Sequence, residues 1–243
     1  MKFNSKILSL VMLAFITSNA FANALSPSHF YIRGDLGAAW MNNKTLTVTI
    51  DGVDAESKVT MKQALAGQIG FGYILNQYWR FEFAGNMTGK MDASGTCVPS
   101  TECIDGSKTT AYVSSEQLFL TAYLDFGRLF GQGNPWFNPY VGGGIGGAHN
   151  KIMNFENKFE GMEVFTINDN STDNFAWRLV GGVALAFGNH FMIDFSYGYV
   201  DAGTLETGSE LTLADGLGEF ALESPGSLKV DFQQVMMGLR YRF

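Results

Sequence analysis

The chain has 243 residues, 46% of them hydrophobic, 14% aromatic and only 16% charged, with 29 glycines and a formal net charge of −7. This length fits one domain, and the acidic balance argues against a nucleic-acid partner, whose phosphates call for basic clusters. Few charges beside many Gly and Phe favour strands over surface helices.

At the N-terminus, Lys2 and Lys6 precede an apolar run over 7–16, and Ala20-Phe21-Ala22 follows. The run is too short to span a bilayer, which takes about 20 residues, and the A-x-A site marks a secretory signal peptide. The expectation is a cleaved peptide over 1–22, with Ala24 as the alternative cleavage site, and a mature domain over 23–243. Losing Lys2 and Lys6 takes the net charge to −9. Beyond the peptide, Gly, Asp, Asn, Arg or Lys interrupts every apolar stretch before it reaches transmembrane-helix length.

Period-two alternation then recurs in eight stretches. The first strand, 29–41, sets Ile32, Leu36, Ala38 and Trp40 against Tyr31, Arg33, Asp35 and Gly37. The second, about 60–75, sets Leu65, Ile69, Phe71 and Tyr73 against Lys62, Gln68, Gly70 and Gly72, and turns at Asn76-Gln77. The third, 79–87, sets Phe81, Phe83 and Met87 against Arg80, Glu82 and Asn86. Cys97 and Cys103 follow in a connection; in an exported chain with no further soft ligands nearby they are expected to form a disulfide, not a metal site.

The fourth strand sets Leu118, Leu120, Leu124 and Phe126 against Thr121, Tyr123 and Asp125. The fifth, about 137–148, is Gly-rich, with Val141 and Ile145 on its apolar face. The sixth sets Phe175, Trp177, Leu179, Val183, Leu185 and Phe187 against Arg178. The seventh sets Ile193, Phe195, Tyr197 and Tyr199 against Asp194 and Ser196. The last sets Val235, Met237, Leu239, Tyr241 and Phe243 against Gln234, Arg240 and Arg242.

Long connections (42–59, 91–111, 150–173 and 201–228) alternate with short ones, as in transmembrane barrels. Alternation alone leaves open which face points inward, because a soluble barrel hides the apolar face that a membrane barrel exposes. The second face decides it. It mixes Gly, Gln, Ser and Tyr with a few charges of both signs, and it lacks the dense Lys and Glu of a solvated face. Aromatics near strand ends (Trp40, Tyr73, Tyr78, Trp79, Trp136, Trp177, Tyr199, Tyr241) suit interfacial girdles. The fold expected is an all-β, eight-stranded, antiparallel up-and-down transmembrane barrel with periplasmic termini and four long extracellular loops, located in the outer membrane among its lipids. Eight strands leave an interior that side chains fill, and buried charges need partners. Arg33, Arg80, Arg178 and Arg240 are therefore expected to form a lumen network with Asp35, Glu82, Asp125 and Asp194.

The fragment 30–37, the Gly70-Phe71-Gly72-Tyr73 strand leading into 79–83, the Gly-rich 139–146 segment and the Tyr241-Arg242-Phe243 end together resemble the opacity-type, OmpA-like eight-stranded porin family. The row Val235, Met237, Leu239, Tyr241 and Phe243 resembles the terminal strand that the barrel assembly machinery reads in such proteins. OmpA itself continues into a periplasmic peptidoglycan-binding domain, whereas this sequence stops at Phe243, so cell-wall anchoring by that route is not expected.

No cofactor or metal ligand set emerges. Of the three histidines, His29 and His190 fall at the terminal side and only His149 near the outer ends, with no recognisable serine and acid spacing around it. Residues 169–173 have the oxygen-rich look of a calcium loop without the EF-hand Gly and Glu, and are read as a polar turn. The segment with Phe155, Phe159, Val164, Phe165 and Ile167 is apolar for a loop; the one with Glu206, Glu210, Asp215, Glu219 and Glu223 is acidic, with Leu213, Leu217 and Phe220 at helical spacing. Three functions stay open. The first is a non-enzymatic envelope protein with loops for adhesion or host contact; the second is a small pore for ions or hydrophobic solutes; the third is a lipid-modifying enzyme.

Overall fold

A strand whose side chains alternate between two faces can sit in a bilayer only if its backbone polar groups pair on both edges, which requires a closed sheet. The computed structural model describes residues 29–50, 53–97, 107–127, 136–160, 162–214, 218–221 and 224–243. Residues 1–22, expected to be a signal peptide, and Cys103 lie outside them, and Cys97 is the last residue of its strand.

The described strands are β1 (Phe30–Trp40), β2 (Lys44–Ile50), β3 (Val53–Met61), β4 (Ala64–Ile74), β5 (Trp79–Cys97), β6 (Lys108–Asp125), β7 (Phe137–Phe159), β8 (Met162–Ile167), β9 (Asn170–Phe187), β10 (Phe191–Glu206), β11 (Glu210–Leu213), β12 (Glu219–Ala221) and β13 (Ser224–Arg242). Eight of them, in the order β1, β4, β5, β6, β7, β9, β10, β13, pair antiparallel to form a ring. The ring closes where β13 returns to β1, with Ile32 opposite Tyr241 and Ala38 opposite Val235.

Around this ring the apolar face is the outer one. Leu36, Leu65, Ile69, Met87, Leu120, Ile145, Phe175, Leu179, Met237 and Leu239 are all exposed. Aromatic pairs edge the band: Trp40 with Tyr197 and Trp177 with Tyr199 on one side, Trp136 with Phe137 and Tyr241 with Phe243 on the other. From Phe191 to Tyr199 is about 26 Å along the strand at ~3.3 Å per residue. Tilted at ~35–45°, that is on the order of 20 Å of membrane, near the ~25 Å band of such barrels.

The four long connections contain far more sheet than their composition suggested. β5, β6, β7, β9, β10 and β13 run on past the apolar band, and the β2–β3 hairpin inserts between β13 and β5 to make a collar. Three β-bulges mark the transition. Gly89 and Lys90 stand opposite a single residue of β6, Asn154 and Phe155 opposite one of β6, and Ala202 and Gly203 opposite one of β13. Asn154 and Gly203 have φ of 51° and 83° there, and a bulge of this kind inserts one extra residue. Each insertion shifts the alternation by one, so that Met91, Phe155 and Leu205 turn inward and are buried. The collar consequently inverts the polarity of the barrel: its inner face is apolar and its outer face polar. Lys62, expected on the lumen face, lies between β3 and β4 and pairs outside with Asp92 at 3.2 Å.

The boundary between the two regimes is open to measurement. Leu120→Arg, on the lipid face, is expected to cost about 2–4 kcal/mol of unfolding free energy near the bilayer midplane and Ser94→Arg, on the outer face of the collar, about 0–1 kcal/mol, read by urea unfolding in phospholipid vesicles.

Candidate functional site: a charged lumen beneath an apolar collar

Inside the ring, each inward position meets the opposite wall at side-chain distance, so an ionised group there cannot reach bulk water and must be paired. Glu82 on β5 is the hub. Tyr31 from β1 and Tyr123 from β6 each donate a hydroxyl to it at 3.0 Å, and Gln68 from β4 donates an amide at 3.4 Å. The Arg80 and Arg178 guanidiniums stand at 3.8 and 3.6 Å.

The pairs radiate from there. Arg80 Nε donates to both Asp125 oxygens at 3.2 and 3.1 Å, and its Nη1 donates to Tyr31 at 2.9 Å. Arg178, from β9, donates to Thr121 at 2.9 Å, to Gln68 at 2.5 Å and to Tyr123 at 3.3 Å. Arg33 donates to Asp35 at 2.8 Å and to Ser196 at 3.4 Å. Arg240 forms a two-pronged bond with Asp194. Gln68 also donates to Asp35 at 3.1 Å, joining the two halves. The structure thus brings Arg33, Asp35, Arg80, Glu82, Asp125, Arg178, Asp194 and Arg240 into one buried layer of four guanidiniums and four carboxylates.

Tyrosines fill the space between these ions, and the sequence did not single out their role. The Arg80 guanidinium lies over Tyr123 at 3.8 Å and over Tyr140, from β7, at 4.6 Å, and Arg33 stands 5.9 Å from the Tyr140 ring. Arg33 Nη1 and Arg80 Nη2 have no hydrogen-bond acceptor; the ring face of Tyr140 offers them a cation–π contact instead. Room for the rings comes from glycine. A Cβ at Gly72 would overlap the Tyr31 ring, one at Gly238 would overlap Asp35, and one at Gly182 would meet Tyr140 at 2.7 Å. The only sequence signal for these tyrosines was their inward parity.

Above the ions lies a neutral polar layer. Asn86 donates to Gln234 across the lumen at 3.2 Å, and Ser115 donates to Asn150 at 2.5 Å. Asn86 Oδ1, Thr88 Oγ1 and both amide atoms of Gln117 are buried without partners. Higher still the lining is apolar, with Met91, Val113, Ile152, Phe155, Leu228 and Val230 in a continuous core.

The remaining candidates are on the outer wall or in turns. His149 occupies the middle of a cross-strand row with Glu116 and Asp173, and its Nδ1 lies 2.6 Å from Asp173. Asp169 accepts the Asn154 backbone N–H at 2.8 Å, and Asn170 already begins β9. Phe155 and Ile167 of the apolar segment are buried inside the collar, with Phe165 stacked on Phe155. Glu210 and Glu219 belong to the β11–β12 pair, not to a helix. Among the described residues, no group of three or more His, Cys, Asp or Glu side chains is arranged to hold a metal ion.

Val235, Met237, Leu239 and Phe243 face lipid, and Tyr241 packs between Phe191 and Phe243. Arg242, which was not among the expected network residues, donates to the Asn189 carbonyl at the lower rim.

Loss of the hub carboxylate gives a direct test of the layer. Glu82→Gln leaves Arg80 and Arg178 facing a neutral amide and is expected to cost about 3–5 kcal/mol of unfolding free energy. Lys62→Ala removes an exposed ion pair, which should leave stability nearly unchanged. Denaturant titration of both variants in vesicles reads the difference.

Residues 8–243 match the family model described as outer membrane protein beta-barrel domain. The chain is 24% identical over 235 residues to outer membrane protein PagN of Salmonella typhimurium, covering 91% of this chain and 93% of the relative. Among solved structures it is similar to the outer membrane protein OprG from Pseudomonas aeruginosa, with a TM-score of 0.56 and 16% identity over 88% of this chain and 95% of that one. Neisserial surface protein A aligns at a TM-score of 0.47 and 15% identity, over 90% and 98% of the two chains.

Proposed function

Because this chain belongs to the outer membrane protein β-barrel domain family, we propose that it is a non-enzymatic envelope protein, its barrel closed to solute and its collar the surface that meets other surfaces or host ligands outside the cell. The observation that carries this is the ionic layer: side chains from all eight ring strands interlock across the lumen at the level of the membrane. With that cross-section filled, the tall outward walls are the part of the molecule left to act.

The wall supports a contact role by its construction. Strands carried beyond the apolar band by bulges, packed on an inner apolar core, make a stiffer platform than free loops would. A passage for small or hydrophobic solutes is the second reading; the apolar collar lumen favours it, and the charged layer below opposes it. Against lipid chemistry, the His149–Asp173 pair faces outward, and no serine or threonine hydroxyl hydrogen-bonds the ring among the described residues. The outward row ending in Phe243 is proposed as the strand that the barrel assembly machinery reads, and Cys97 and Cys103 as a disulfide in the connection between β5 and β6.

Planar-bilayer recording separates the first two readings. The folded monomer is expected to give no large, stable unitary currents; such currents would reject the closed barrel. For the contact role, cells carrying the barrel with residues 45–57 replaced by a short turn should adhere less than cells carrying the full chain. Unchanged adhesion would remove that half of the proposal.

A further inference from the structure

The outer wall of the collar divides into two sectors of different charge. Over 162–221, the span from β8 to β12, the sequence holds a single Lys or Arg, Arg178, and that one is buried in the lumen. On the outer face the same elements and their turns carry Asp169, Asp173, Asp201, Glu206, Glu210 and Glu219, all exposed or half-buried. Asp173 has His149 at 2.6 Å and Asp201 has Lys229 of β13 at 3.0 Å. Glu206, Glu210 and Glu219 have no cation on their own elements.

The lysines stand across the tube. Lys58, Lys62, Lys90, Lys108, Lys151 and Lys158 lie on or beside β3, β5, β6 and β7, and β5 and β10 are on opposite sides of the ring. Near the membrane, Asp92 pairs with Lys62 and Glu116 with Lys151. Farther out, the register sets Lys58, Lys108 and Lys158 in one row across β3, β5, β6 and β7, with Lys108 directly opposite Lys158. Like charges facing each other on neighbouring strands destabilise a sheet. Glu156 holds Lys158 at 2.6 Å, and Glu163 of β8 is its register partner. Lys58 and Lys108, both exposed, have no carboxylate beside them in the row.

We propose that copies of this chain associate side by side in the membrane, the lysine row of one collar against the acidic wall of the next. Insertion holds the barrels parallel, so the two sectors meet at like heights: Lys108 is the outermost residue of β6 and Glu206 the outermost of β10. Because the sectors lie on opposite sides, the contact is head-to-tail and repeats, giving rows instead of closed pairs. One exposed ion pair contributes little. Several of them between partners already confined to one plane and one orientation lose far less freedom on meeting than partners in solution would, and their complementarity selects the facing sector. The contact uses the side of the collar and needs neither a host ligand nor flow through the barrel.

The test uses the mature chain with a donor or acceptor fluorophore at its N-terminus, in neutral phosphatidylcholine vesicles containing a chelator of divalent cations. Energy transfer between copies is expected above the random-mixing level at low salt and at that level in high salt, where the charges are screened. Lys58→Glu with Lys108→Glu, and separately Glu206→Lys with Glu210→Lys, should each abolish the transfer, and mixing the two variants should restore it. All four side chains are exposed, and the gel mobility of the unheated barrel reports whether each variant has folded. Wild-type transfer at the random level, transfer that salt leaves unchanged, or a mixture of folded variants that stays at the random level overturns the proposal. The wild-type salt series decides the matter even if a variant does not fold. Its failure would leave the closed barrel and the adhesive role standing, because those are judged by conductance and by cell adhesion.

Discussion

A carboxylate in the lumen of an eight-stranded barrel has no water to turn to, and everything else in this molecule is arranged around that fact. Glu82 shows how the constraint is met. Its oxygens are shared among two tyrosines, a glutamine and two guanidiniums drawn from β1, β4, β5, β6 and β9. No two adjacent strands could supply such a set, so the network exists only in the closed ring. Closure and charge pairing stabilise each other, and the glycines at 72, 182 and 238 are the geometric condition for both, since larger residues would displace the rings and carboxylates that do the pairing.

The same constraint explains why polarity inverts along the barrel axis. Within the membrane the outside must be apolar, and the inside carries the polar groups. Beyond it the outside meets water, and a sheet that kept the earlier pattern would expose hydrocarbon while burying charge. Three one-residue bulges reset the phase at Gly89–Lys90, Asn154–Phe155 and Ala202–Gly203. With that shift, Lys90 goes out and Met91 goes in, and the wall continues as a collar around its own apolar core.

Much of the membrane half was legible in the sequence, because lipid outside and side chains inside impose strict alternation. The outward positions of Leu36, Leu120 and Met237 and the eight lumen charges could all be read by parity. The collar was not, and the bulges say why. A period-two pattern followed along β5 stops making sense at Lys90, so the extended strands looked like polar loops. Nor could pairing be read by parity: which carboxylate meets which arginine depends on register across the ring, and Arg80 meets Asp125 from a different strand, whereas Arg33 meets Asp35 two residues on. Tyr31 and Tyr123 were visible as inward aromatics and Tyr140 was not singled out, and the work of all three as spacers and ring partners for guanidiniums appears only when the strands are brought together.

Two zones of different chemistry are thus stacked in one narrow tube, an ionic seal in the membrane and a packed apolar core above it. Thiol accessibility tests that arrangement most directly. In a background with Cys97 and Cys103 replaced by serine, Ser94→Cys on the outer face of the collar and Ala84→Cys in the ionic layer are each exposed to a small membrane-impermeant thiol reagent, from the outside and from the periplasmic side. The account predicts that Ser94→Cys reacts from the outside and that Ala84→Cys reacts from neither. Labelling of Ala84→Cys from either side would mean that water reaches the ionic layer, and would contradict it.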